Sequence, residues 1–215
     1  MSPRWRPVTE GWWLILPVAA AGLVLLRRVP RLALLALGAA AGLALFYRDP
    51  ERRVRAHPAL ALAPADGRVI HVDRVYDPFW DTELIEVAIF LSIFDVHIQR
   101  SPVDGIVLAQ QCRTGGYHPA MTRQATHSNN QVATHIETVA GPCTVTQISG
   151  LAARRIVTWK GPDDRIAQGE RLGMIKFGSQ VTLRLPLSAT TLVKPGDRVF
   201  AGITPVARVD SKPAS

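Results

Sequence analysis

Residues 131–139 read Gln131-Val132-Ala133-Thr134-His135-Ile136-Glu137-Thr138-Val139. Val132, Thr134, Ile136 and Thr138 recur at every second position, the period of a strand with one buried face, and all four are β-branched. The same texture continues outward in both directions, as short β-rich runs at 68–75, 84–93, 105–111, 144–148, 155–159, 181–185 and 204–209. Turn formers separate the runs: Asp66-Gly67, Asp104-Gly105, Gly115-Gly116, Gly161-Pro162 and Pro195-Gly196-Asp197. Beyond residue 58 only 119–126 has the makings of a helix, and a short one. The spacing predicts a mostly-β domain of many short strands over residues 58–215.

Residues 1–57 are different. Two uncharged apolar stretches, 11–26 and 32–47, are joined by a connector holding Arg27, Val29 and Pro30. Each is 16 residues, so as a straight helix it would span about 24 Å, a little short of the roughly 30 Å of a hydrocarbon core. Snorkelling arginines and flanking residues such as Val8 and Val29 can extend them. The second stretch follows too closely for a simple cleaved signal peptide. The pattern predicts a helical hairpin that attaches to a membrane, by two spans or by dipping into one leaflet. Both ends of a hairpin lie on one side, which places the following domain on the cytoplasmic face of the cell membrane.

Charge supports a lipid partner over a nucleic acid. The net charge is +8, and residues 1–55 hold nine arginines against Glu10, Asp49 and Glu51, so six of those eight charges sit beside the apolar stretches. Arginines that bracket apolar segments attract anionic headgroups, at about 1 kcal/mol each near the surface. Two cysteines, Cys112 and Cys143, are too few for a disulfide framework, and no metal-ligating pattern is visible.

Three short segments can carry chemistry. Pro64-Ala65-Asp66-Gly67 is ordinarily a hairpin turn, the lone His97 of Phe94-Asp95-Val96-His97 ordinarily a structural residue, and Gly178-Ser179 ordinarily a turn. Together, Asp66, His97 and Ser179 are the parts of an orienting carboxylate, a general base and a nucleophile. A serine after glycine is also suited to attack the carbonyl of its own preceding peptide bond, because Gly178 has no Cβ to obstruct the approach.

Those segments, with Gly169-Glu170 and Gly173 just before Phe177-Gly178-Ser179, resemble the short form of the pyruvoyl-dependent phosphatidylserine decarboxylases, and the resemblance covers nearly the whole chain. It implies autocatalytic cleavage between Gly178 and Ser179. Ser179 attacks the Gly178 carbonyl, an ester replaces the amide, and elimination and hydrolysis leave a pyruvoyl group derived from Ser179. It implies His97 as base, Asp66 as its orienter, and a heterodimer of chains 1–178 and 179–215. It also implies decarboxylation of phosphatidylserine to phosphatidylethanolamine, with the pyruvoyl ketone as electron sink. Asp95 and His118 are candidates for a second acid–base group. Ser128-Asn129-Asn130 roughly matches an Asn-rich family segment near the substrate headgroup, which makes Asn129 and Asn130 candidate binding residues.

Three other readings compete, one of which keeps the pyruvoyl chemistry and changes the lipid, for instance to an ether-linked phosphatidylserine analogue. Val193-Lys194-Pro195-Gly196-Asp197-Arg198-Val199-Phe200-Ala201-Gly202, followed by Val206-Ala207, resembles a strand pair of lipoyl- or biotinyl-type barrel-sandwich domains. A membrane-tethered carrier or adaptor of that type would present a modifiable lysine at a hairpin tip, for which Lys176 is the best candidate. A serine hydrolase acting in trans would use the same Ser179, His97 and Asp66, but a Gly-x-Ser-x-Gly elbow is missing.

Overall fold

A computed structural model describes residues 6–116, 118–150, 155–176 and 179–209, with side chains from residue 10 onward. It contains two compact units, Met1–Glu51 and Arg52–Ser215.

The first unit is a helical pair, α1 (Arg6–Leu25) and α2 (Pro30–Phe46). Small residues let the helices approach: a Cβ on Gly22 would lie 2.9 Å from Leu37 Cδ2, and one on Gly11 would lie 2.4 Å from the Tyr47 ring. Those pairings run antiparallel, as a hairpin requires. Pro30 is not part of the turn but opens α2, where its fixed φ and missing N–H cost nothing. The outer surface stays apolar, with Trp12, Trp13, Leu16, Leu34 and Leu35 all more than half exposed. Among the described residues no helix is long and apolar enough to cross a membrane.

The second unit is built from strands β1 (Leu60–Leu62), β2 (Gly67–Asp77), β3 (Thr82–Leu91), β4 (Ile98–Arg100), β5 (Gly105–Arg113), β6 (Gln131–Thr138) and β7 (Gly141–Ser149). It continues with β8 (Ile156–Thr158), β9 (Arg165–Ile166), β10 (Arg171–Ile175), β11 (Ser179–Pro186), β12 (Thr190–Thr191), β13 (Arg198–Val199) and β14 (Pro205–Arg208). A short helix, α3 (Arg123–Ser128), lies between β5 and β6, N-capped by Thr122, whose Oγ1 accepts from the Ala125 N–H.

Eight strands form one antiparallel sheet in the order β13-β2-β3-β11-β7-β6-β5-β9, and β1-β14-β12 and β4-β10-β8 form two small sheets. Long hairpins explain much of the large sheet: β2–β3, β5–β6 and β6–β7 are consecutive or nearly so, while β11 inserts between β3 and β7. One face of the large sheet carries Val87, Ile89, Leu91, Val145, Val181, Leu183 and Ile136, which merge with Ala61, Leu172, Ile175 and Val206 of the small sheets into one core.

Two expectations change. Asp66-Gly67 is not a hairpin turn: it leads from β1 in one sheet into β2 in another. The strand at 131–138 is covered on both faces near its middle, because Phe79 stacks on His135 with ring centroids 3.8 Å apart and Trp80 donates to Thr144 Oγ1 beside it. His135 is therefore 2% exposed, and burial pushes its imidazole below the ordinary histidine range.

Candidate active site

The site is the junction of β11 with its neighbours. Ser179 opens β11, with Leu91 of β3 opposite on one side and Ser149 of β7 on the other. Upstream, Ile175 closes β10 and its N–H donates to the His97 carbonyl at 3.2 Å, next to the Met174–Ile98 pair. The segment 91–98 thus lies along 174–179 at both ends, with Leu91 facing Ser179 and His97 facing Ile175. This register sets the start of β11, with Ser179, and the end of β10 against the two ends of the segment that carries His97.

Ser179 is fully buried, and its Oγ has no hydrogen-bond partner among the described residues. An unsatisfied buried hydroxyl costs about 1–3 kcal/mol, so a protein keeps one where it serves a purpose. Phe177 and Gly178, half of the expected cleavage site, lie outside the described residues.

His97 is also fully buried. Its Nδ1 lies 2.9 Å from the Asp95 carbonyl oxygen. A carbonyl only accepts, so Nδ1 carries the proton and the lone pair of the neutral ring sits on Nε2, as a general base requires. The hydrogen bond that orients the ring therefore comes from the main chain of Asp95, not from the carboxylate of Asp66.

Asp95 is held in turn. Its Oδ2 accepts from the N–H and Oγ of Ser92, both at 2.8 Å, and its Oδ1 accepts from Arg198 on β13. Burial pushes the Asp95 carboxyl up, but the bonds from Arg198 and Ser92 more than offset this and hold it below the usual carboxylate range. An anion fixed in that way is a poor proton donor, so the structure favours a positioning role for Asp95.

Asp66 occupies a closed polar ring. Arg52 Nη2 donates to its Oδ2 at 2.7 Å, the Ala201 N–H donates to its Oδ1 at 2.8 Å, and Arg52 Nη1 donates to the Ala201 carbonyl at 3.0 Å. Asp66 thereby ties together the chain entering the second unit, the start of β2 and the turn after β13.

Behind His97, Gln99 Nε2 donates to the His97 carbonyl at 3.0 Å, and Gln147 Nε2 donates to Gln99 Oε1 at 2.9 Å. Gly173 makes room for this chain: a Cβ there would lie 2.3 Å from the Val157 carbonyl oxygen and 2.8 Å from Gln147 Nε2.

Asn129 and Asn130 sit one strand further out. Asn129 is fully buried, and its amide spans the His118 carbonyl at 2.8 Å, the His118 N–H at 2.7 Å and the Ser149 carbonyl at 2.7 Å. The Asn130 carbonyl accepts from Ser149 N–H and Oγ. Both brace Ser149, the cross-strand neighbour of Ser179, and a cleft lined by Arg113, Asn130, Gln131, Ser149 and Ile156 opens there.

Lys176 is 7% exposed, so it is not presented for modification as a carrier lysine must be. Gln99 and Gln147 have no place in the sequence reading, Arg198 enters it only inside the strand-pair motif at 193–202, and Arg52, expected among the arginines that meet headgroups, is instead buried against Asp66. Each is a single polar residue with no local pattern, made meaningful only by a partner 14 to 149 positions away.

Residues 40–207 match the family model described as phosphatidylserine decarboxylase. The phosphatidylserine decarboxylase proenzyme of Symbiobacterium thermophilum is 42% identical, over 97% of this chain and 99% of its own length. The proenzymes of the same name from Burkholderia multivorans and Burkholderia ambifaria are 37% and 38% identical, each over 77% of this chain and 78% of their own lengths.

Proposed function

The chain belongs to the phosphatidylserine decarboxylase family, and on that premise we propose that it is a proenzyme that cuts itself between Gly178 and Ser179. The matured form decarboxylates phosphatidylserine to phosphatidylethanolamine. The observation that carries this reading is the buried Ser179 Oγ, unpartnered among the described residues and brought by strand register beside the His97 segment.

In the cleavage step His97 Nε2 takes the Ser179 hydroxyl proton. The Ser179 oxygen bonds to the Gly178 carbonyl carbon, the peptide C–N bond breaks with the proton passing from His97 to the freed Ser179 nitrogen, and an ester remains. Elimination then removes the Ser179 Cα proton and breaks the Cβ–O bond, releasing the Gly178 carboxylate, and addition of water with loss of ammonia completes the conversion of Ser179. The buried position of Ser179 fits a reactive ketone, because exclusion of water protects it. The pyruvoyl group supplies a carbonyl that engages the substrate amine and accepts the electron pair released with carbon dioxide. His97 is the residue assigned to return a proton to the product carbon, acting first as base and then as acid.

Asp66 remains the carboxylate of the set, acting through its ring with Arg52 and Ala201. Asn130, in the cleft beside Ser149, is assigned to the polar headgroup, and Asn129 to holding that wall in place. The products of cleavage, 1–178 and 179–215, stay together as a heterodimer. Support comes from β11, which belongs to the smaller chain yet pairs along its length with β3 and β7 of the larger.

Residues 1–57 are assigned to a membrane hairpin and 58–215 to the catalytic domain, with barrel-sandwich character in the strand pair around Pro195-Gly196-Asp197. Supporting the hairpin are the antiparallel pairing of α1 and α2 and their exposed Trp and Leu side chains. At 17 residues α2 is shorter than the roughly 20 a span needs, which favours insertion into one leaflet. The catalytic domain is placed on the cytoplasmic face of the cell membrane. Holding it there raises its effective concentration near lipid.

The test is intact mass under denaturing conditions. Two chains that split at Gly178/Ser179, the smaller lighter by the change from serine to pyruvoyl, are expected, with Ser179→Ala remaining whole. A single intact chain from active protein refutes the proposal.

A further inference from the structure

Two consecutive large apolar residues stand on the surface three and four positions before His97. Ile93 is 58% and Phe94 74% exposed, in the loop that connects β3 to β4. The polar residues on either side, Ser92 and Asp95, are bonded to each other and hold the loop in a tight turn that leaves Ile93 and Phe94 at its apex. Across the Asp95–Arg198 ion pair lie two more, Phe200 at 43% and Ile203 at 50% exposure. The Arg198 guanidinium sits 5.6 Å from the centre of the Phe200 ring, and Ile203 N–H donates to the Phe200 carbonyl. These four apolar residues are therefore grouped around one half-exposed arginine.

The polar rim is basic. Arg68, opposite Arg198 in the β2–β13 pair, and Lys194 are exposed, and with Arg198 they outnumber Asp95 and Asp197 by one charge. An apolar tip with a cationic rim is the composition of an interfacial anchor, whose apolar part enters the headgroup–acyl boundary while its cations meet anionic phosphates. Its position matters as much as its composition. The loop bearing Ile93 and Phe94 runs from Leu91, opposite Ser179, to His97.

We propose that the loop Ser92–Asp95, with Phe200 and Ile203, is a docking surface for an anionic phospholipid bilayer, pressing the mouth of the active site against the membrane so that a lipid headgroup enters without its tails leaving the bilayer. This rests on the decarboxylase reading above and adds to it a second, catalytic-domain contact with lipid, separate from the helical pair.

The experiment compares the full chain with Ile93→Ser/Phe94→Ser and, separately, Ile203→Ser, on two substrates. One is phosphatidylserine in phosphatidylcholine vesicles; the other is a short-chain phosphatidylserine kept below its micelle threshold. Each loop serine removes apolar area from the interface, so KM on vesicles is expected to rise about tenfold for the double variant and about threefold for Ile203→Ser. The value of kcat, the KM on the monomeric substrate and the completeness of self-cleavage by mass stay as in the parent. Ile93→Leu/Phe94→Trp keeps the vesicle KM of the parent, which shows that apolar character and not mere disturbance of the loop is being read. An unchanged vesicle KM, or equal loss on both substrates, overturns the docking surface. So does a patch that serves a second copy of the chain, seen as a change in sedimentation with vesicle KM unaffected. A parent chain that is folded but inactive on both substrates overturns the decarboxylase reading instead.

Discussion

Arg52→Ala is the most informative single change. Arg52 and Asp66 are 6% and 5% exposed at the side chain and 2.7 Å apart, and the Ala201 main chain closes the ring from the other side. Deleting the guanidinium leaves the Asp66 carboxylate buried with the Ala201 N–H as its remaining described donor, and takes a donor from the Ala201 carbonyl. Removing one partner of a buried pair costs about 3–5 kcal/mol, because the surviving charge has lost its compensation. Arg52→Lys retains the charge but not the fork that serves Asp66 and Ala201 together, so it falls between the parent and Arg52→Ala. The assay is denaturant unfolding of each variant in the uncleaved Ser179→Ala chain, where a single polypeptide unfolds. Asp66→Ala and the double variant complete a cycle whose coupling isolates the pair. A loss below about 1 kcal/mol for Arg52→Ala, the range of an exposed ion pair, refutes the reasoning. The same substitution in the active chain slows cleavage, because Ala201 and the adjoining β13 carry Arg198 toward the His97 loop.

Arg198→Ala leaves the Asp95 carboxylate held by Ser92 alone, so cleavage slows by about tenfold to a hundredfold as the orientation of His97 loosens; a mass time course measures this. Gly173→Ala drives a Cβ to 2.3 Å from the Val157 carbonyl oxygen, and a thermal melt registers a loss of about 1–3 kcal/mol. Burial raises the Glu86 carboxyl, but bonds from His71 and Arg184 lower it further, so its folded pKa is depressed. A depressed carboxyl adds stability above its unfolded pKa that is lost as pH falls through the folded one; Glu86→Gln flattens that acid limb in a pH series of melts. Burial pushes the Cys143 thiol up while Cys112 is exposed, so alkylation of the folded protein modifies Cys112 alone, and mass spectrometry finds the second adduct only after denaturation.

Periodicity and turn chemistry are local properties, and what they control was legible from residues alone. Alternation at Val132, Thr134 and Ile136 marks a strand whatever pairs with it, and the uncharged stretches before residue 48 mark helices because nothing else buries so much apolar chain without a sheet. Ser179 after Gly178, and a histidine upstream, were visible as candidates for the same reason: the chemistry belongs to the residue type. Pairing is a different matter. The insertion of β11 between β3 and β7, which sets Ser179 opposite Leu91 and Ser149, is a choice among many antiparallel partners of similar pattern. Short strands such as β4, β10 and β13 carry too few residues to show a period, so the register that lays His97 along Ile175 appears only once the core has closed. The same holds for Arg52 with Asp66, Arg198 with Asp95, and the carbonyl that sets the His97 tautomer. A hydrogen bond depends on distances of a few tenths of an ångström between residues remote in the chain, and packing of the whole domain is what determines them.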